Sequence, residues 1–325
     1  MKLNIDAHLF CLGTFAERYV PGGYAEELNV DQMLEMMAET EGLDGLFVFY
    51  PLAPMPQEPE KLLKKLDGYG LRVSNLAVEN WGHMRWKNGS FSTNQKEIRR
   101  ECIKMSKEGI DLAKELKADS VLLWPAHDGI DYPFQCNYSD AWKYLVETMQ
   151  EIGEYDQSVK IAIEPKAKDP RQRMFVNGVG KLMMLLNEIG LDNVGGALDV
   201  GHSFQAGENI AESLVILDSR NKLFQIHLND NYRDADPDMY FGSVNFWENL
   251  EFFYYLGQTD FSGWCSIDII AARDDRKKAL NVGTKIVYKY KDMAEKLLKH
   301  KDEINTNLKG YSFAENLDLI MDVLF

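Results

Sequence analysis

The chain has 325 residues, 45% hydrophobic and 27% charged; 36 Lys and Arg stand against 51 Asp and Glu, for a net charge of −15. Such an acidic surface repels nucleic-acid phosphates and anionic lipid, so no nucleic acid and no membrane is expected among its partners. No run reaches the roughly 18 apolar residues of a spanning helix, and the start lacks the basic and apolar regions of a secretory leader. The four cysteines (Cys11, Cys102, Cys136, Cys265) show no clustered spacing. A cytoplasmic protein with reduced, packing thiols is expected.

Short β-branched and aromatic runs alternate with longer amphipathic stretches. LNIDAHLF (3–10) precedes a helical pattern near 30–41, GLFVFY (45–50) one near 58–69, RVSNLAV (72–78) one near 95–117, and SVLLW (120–124) one near 139–153. KIAIEP (160–165), VGGALDV (194–200), LFQIHLND (223–230) and WCSIDII (264–270) continue the series, with helices near 177–190, 207–219, 246–257 and 275–298. This alternation implies parallel strands joined by right-handed crossovers. Eight units fit an α/β fold of the closed (β/α)8 TIM-barrel type. An open doubly wound sheet would be marked by GxGxxG after the first strand, and none is there. With no linker or low-complexity segment, residues 1–325 read as one domain: a barrel over about 3–298 and a C-terminal helical extension over about 299–325.

In such barrels functional groups gather at the C-terminal ends of the strands. There the fifth run delivers Glu164, the sixth Asp199 and then His202, the seventh His227 and Asp230, and the eighth Asp268. Three carboxylates buried together need a positive charge, which a divalent cation supplies. Carboxylates with one imidazole suit manganese, magnesium or cobalt better than the thiolate-rich sites of structural zinc. Taken singly, each residue is equally consistent with a polar layer at the barrel mouth.

In IAIEPKAKDP (161–170), side chains alternate, so Glu164 and Lys166 face the same interior. The ammonium then reaches a substrate oxygen beside the cation, or pairs with a carboxylate such as Asp199. The loop HLNDNYRDADPDMYFGSVNF (227–246) is dense in aspartate. It is either solvated surface or the source of a second ion, held by Asp236, Asp238 and His202. Trp81, Trp86, Trp124, Tyr132 and Phe134 suit stacking on sugar faces or ordinary packing. Arg171, Arg173, Arg233 and Arg273 are candidates for an anionic group, although no Gly-rich phosphate loop follows the seventh or eighth run.

At these residues the sequence resembles the xylose isomerase-like TIM-barrel superfamily, and within it the branch of L-rhamnose and D-xylose isomerases. IEPKAKDP, LDVGHSFQAGEN, HLNDNYRDADPD and SIDIIAARDD carry the resemblance, with weaker matches in RWKNGSFSTN (85–94) and LLWPAHDGIDYPFQ (122–135). It implies one ion on Glu164, Asp199, His227 and Asp268 and a second near His202, Asp236 and Asp238. The expected cofactor is therefore Mn2+, or Co2+ or Mg2+, with one or two ions per subunit. The resemblance also implies that Lys166 holds the substrate's carbonyl end and that Trp124 walls the sugar carbons. Three departures stand out. Asp268 occupies a position where ketose 3-epimerases usually carry glutamate, Asp169 in KDPR stands where related sequences often carry glutamate, and no histidine–aspartate pair for ring opening is evident, His83 being the nearest candidate.

The expected activity is a metal-dependent aldose–ketose isomerisation of an unphosphorylated sugar. Glu164, Lys166 and Asp268 are its catalytic groups, and Trp124, His202 and Arg233 its substrate contacts. The alternatives are a ketose 3-epimerase or keto-sugar lyase on the same site, or a sugar-binding barrel without chemistry. An endonuclease-type relative would need a basic groove and a histidine-rich trinuclear zinc cluster, which six histidines in all and a net charge of −15 do not favour. A homodimer or homotetramer is expected.

Overall fold

The computed structural model describes residues 1–325. Eight parallel strands close into a barrel: β1 (Asn4–His8), β2 (Gly45–Tyr50), β3 (Arg72–Val78), β4 (Ser120–Leu123), β5 (Lys160–Ile163), β6 (Val194–Asp199), β7 (Leu223–Leu228) and β8 (Trp264–Ile267). Each pairs with its neighbours in chain order, and β8 closes on β1 through Asn4 opposite Trp264. A helix follows every strand, from Val30–Ala38 to Arg276–Leu298, within a few residues of the sequence periodicity. The fold is the expected TIM barrel. No helix is long and apolar enough to cross a membrane.

Apolar side chains on the outer faces of the strands pack against the helices to form the main core. Inside the barrel, Phe47, Ala77, Leu122, Ala162 and Ala197 form a separate small cluster. Another interior set is polar. Gln225 Nε2 donates to Ser120 Oγ at 2.7 Å, Ser120 Oγ donates to Asn75 Oδ1 at 2.7 Å, and Asn75 Nδ2 reaches Asp6 Oδ2 at 3.4 Å. These residues come from β7, β4, β3 and β1, so only barrel closure brings them together.

The periodicity missed one helix, Val200–Ala206, directly after β6. Asp199 caps it by accepting from the His202 backbone N–H at 2.8 Å, and Gly207 ends it in a left-handed conformation. Seven residues are too few for an apolar stripe to announce a helix. The C-terminal extension folds as Lys301–Lys309 and Phe313–Leu324, whose half-buried Leu319, Ile320 and Val323 pack on the main core. A two-stranded ribbon, Gly129–Ile130 with Arg173–Met174, links the loops that follow β4 and β5.

Candidate active site

The strands end where the charges begin. β5 stops at Ile163 and β8 at Ile267, but the Glu164 N–H still donates to the Leu123 carbonyl and the Asp268 N–H to that of Leu228, each at 3.2 Å. Both carboxylates are therefore fixed by one last ladder bond. The ligand atoms of Glu164, Asp199 and His227 lie within 4.8 Å of one another, all buried. His227 Nδ1 is 3.1 Å from Glu164 Oε1 and 3.7 Å from Asp199 Oδ2. Its other nitrogen donates to Gln225 Oε1 at 3.1 Å, which orients the ring with Nδ1 toward the carboxylates.

His202, on the short helix, brings Nδ1 to 3.1 Å from the Pro165 carbonyl and 3.2 Å from Glu164, and Nε2 to 3.1 Å from Asp236 Oδ2. The same Asp236 oxygen is 2.8 Å from Lys166 Nζ. Lys166 thus pairs with Asp236, not Asp199. Its ammonium also lies over the Trp124 ring, 5.2 Å from the centroid. Gly201 allows this packing: a Cβ there would come within 2.2 Å of Asn229 Oδ1 and 2.9 Å of Asp236 Oδ1.

The electrostatics follow from crowding. Burial alone would lower the His227 imidazole, but Glu164 and Asp199 more than offset it and raise its pKa to about 9. His202 rises to about 10 against the same burial penalty, through Asp199, Asp236 and Glu164. Burial, with Glu164 and Asp236 nearby, pushes the Asp199 carboxyl upward. Burial together with Asp268 and Asp236 likewise pushes the Asp238 carboxyl well above its usual range. Carboxylates crowded beyond their countercharge, and imidazoles forced to hold protons, are the signature of a place suited to a cation.

Asp268 stands outside the trio. Its Oδ1 is 2.9 Å from His8 Nε2. Although burial opposes ionisation, His8 holds the Asp268 pKa down to about 2. Sequence reasoning passed over His8, although Asp6 and His8 alternate in β1 as Glu164 and Lys166 do beyond β5. His83, by contrast, is exposed and accepts from the Arg85 N–H. Asp230 ties down its own loop, accepting from the Val244 and Asn245 N–H groups at 2.9 and 3.0 Å. Arg233 is turned outward to Glu248 at 2.8 Å and Asn245 at 3.0 Å, and does not line the cavity.

That cavity, of about 1420 Å3, opens at the barrel mouth. Glu164, Lys166, His202, His227, Asp238 and Asp268 form its charged side. Phe49, Trp81 and Trp124 face them, with the Trp81 and Trp124 rings edge to face at 5.2 Å. The Trp124 Nε1–H finds no acceptor within the protein. Trp86 is buried in the core, whereas Tyr132 and Phe134 lie exposed away from the cavity.

A closed eight-stranded barrel with a carboxylate–imidazole cluster at the C-terminal ends of its strands defines the class: a (β/α)8 barrel with a candidate cation site. The family described as xylose isomerase-like TIM barrel matches residues 25–289, and the chain belongs to it. The xylose isomerase of Thermus thermophilus is 26% identical over 216 residues, covering 63% of this chain and 55% of that protein. The chain thus spans little more than half the length of that relative. Among solved structures, a D-tagatose 3-epimerase-like protein superposes with a TM-score of 0.69 at 16% identity, covering 91% of this chain and 100% of the other. An L-ribulose 3-epimerase gives 0.72 at 14% identity, covering 92% and 97%. At these identities the likeness is one of fold.

Proposed function

We propose that the protein is a divalent-metal-dependent sugar isomerase that interconverts an aldose and a ketose lacking phosphate. The observation that carries this reading is the buried trio of Glu164, Asp199 and His227, of which Glu164 and His227 open onto the same cavity as Lys166 and the Trp124 face. The donors fit a divalent ion: oxygen and imidazole ligands, no thiolate among them, and more buried carboxylate than countercharge. Mn2+, Co2+ or Mg2+ is the expected ion, held by the trio with Asp268 beside it. His202, Asp236 and Asp238 are the candidates for a second. Such an ion polarises a carbonyl and acidifies the neighbouring hydroxyl.

The protein's own groups do the rest. Lys166, fixed by Asp236, points an ammonium at the carbonyl-end oxygen. Glu164 and Asp268 stand as carboxylates to accept and return a proton while hydrogen passes between C1 and C2. Trp124 and Phe49 lie along the apolar face of the sugar carbons and exclude water. The cavity lining holds no arginine, and its single lysine is paired with Asp236, which favours an uncharged sugar.

A second reading is 3-epimerisation of a ketose, favoured by the fold likeness to the two 3-epimerase structures. One experiment separates them: chelation, reconstitution with Mn2+, Co2+ or Mg2+, and an NMR screen of aldoses and ketoses in D2O. Aldose–ketose conversion lost on chelation and restored by metal supports the isomerase. Deuterium entering and inverting C3 assigns the epimerase instead. Full activity after exhaustive chelation rejects the metal role.

A further inference from the structure

The cavity is larger than the chemistry at its base requires. Small-molecule pockets usually hold about 300–1,000 Å3, and this one holds about 1420 Å3. The surplus lies on one side, where the long segment after β1 forms an outer wall. Phe10, Phe15, Leu28, Val30 and Met33 line that wall, with Glu26, Glu27, Asn29 and Thr14 among them. Phe10 is 56% and Phe15 42% exposed, unusual for phenylalanines within a built pocket.

The wall is fixed in place. Arg276 Nη1 donates to the Leu12 carbonyl at 2.6 Å and the Gly13 carbonyl at 3.2 Å, while Nη2 reaches the Glu26 carbonyl at 2.9 Å. The Tyr24 N–H donates to the Thr14 carbonyl at 2.7 Å, and the Phe15 and Tyr24 rings stack at 6.3 Å. An ordered wall that joins exposed aromatic rings to the Glu26 and Glu27 carboxylates matches a second sugar ring. Its C–H face packs on the aromatics, and its hydroxyls donate to the acceptors. The acids and the lack of arginine disfavour an anionic group.

We infer that the substrate is a reducing disaccharide. Its free carbonyl end sits at the Glu164–Asp199–His227 cluster, and its second ring lies along the Phe10–Phe15 wall, joined through a carbon remote from the carbonyl. This rests on the sugar reading above, and the linkage position follows from chemistry, since a glycosidic bond at the anomeric carbon would block C1. The test compares matched pairs on metal-loaded enzyme: glucose with maltose, cellobiose and isomaltose, xylose with xylobiose, and mannose with mannobiose. Binding is read by calorimetry and turnover by NMR.

At least one disaccharide is expected to exceed its monosaccharide about tenfold in both Ka and kcat/KM. Phe15→Ala, at an exposed position that does not support the core, should collapse that ratio toward one. Monosaccharides that bind and turn over as well as their disaccharides would overturn the inference and leave the sugar reading standing. The same result is expected if a second copy of the chain fills the groove. Failure of every sugar to bind, with the cation still bound, would remove the sugar reading and this inference together.

Discussion

The two halves of the barrel mouth carry opposite chemistry. From β5 to β8 the strand ends deliver Glu164, Asp199, His227 and Asp268, with Lys166 and His202 packed among them. From β2 to β4 they deliver Phe49 and Trp124, with Trp81 on the loop after β3. The scaffold is the same on both sides, so the division lies in the side chains at the rim. A ligand with a polar edge and an apolar face is read by both halves at once. The charged half concentrates buried charge that costs several kcal/mol per ion unless neutralised. The aromatic half is ordinary packing left open on one side. Damage to the charged half should therefore be severe and damage to the aromatic half mild.

The sharpest test is Glu164→Gln, which keeps the shape and removes a ligand charge. Turnover should fall at least about a thousandfold, equivalent to about 4 kcal/mol, with an unchanged far-UV circular dichroism spectrum. Wild-type turnover in this variant would end the assignment. Next is Gln225→Leu, which removes the acceptor orienting His227 and should weaken metal affinity by about 10- to 100-fold. Calorimetric titration with Mn2+ would read it, and undiminished affinity would show that the ring needs no support from below.

A third test uses pH. The imidazole of His227, raised to about 9, must lose its proton before Nδ1 can bind a cation. Affinity should therefore rise with pH up to about 9, and below that weaken by about tenfold per pH unit for each proton displaced. Titrations in buffers of different ionisation enthalpy count those protons, and an affinity flat between pH 6 and 8 would contradict the cluster's electrostatics. The smallest effect belongs to the aromatic half. Phe49→Ala should raise KM a few-fold and leave kcat nearly unchanged, consistent with lost uniform binding. A large fall in kcat would place Phe49 closer to the chemistry than the contrast allows.

The legibility of the site varied by residue for a physical reason. Glu164, Asp199, His227 and Asp268 were visible because each ends a strongly periodic strand, and a barrel puts all such ends on one rim. His8 ends β1 in the same way, but it escaped notice because its role rests on Asp268, far away in sequence and adjacent only once β8 closes on β1. Arg233 read as a substrate contact from its loop, yet Glu248 and Asn245 draw it outward. Lys166 and Glu164 both line the cavity, and the partner of Lys166 is Asp236.

By itself, then, the sequence determined the eight strand–helix units, the closed barrel they form, and the level at which charge collects, because hydrophobic periodicity and strand alternation are local properties. Only the tertiary structure decided which charges pair, which histidine nitrogen faces the carboxylates, and how far the cavity extends under the wall after β1. Those depend on barrel register and on loops held by distant groups such as Arg276, and no local pattern encodes a contact between residues that folding alone makes neighbours.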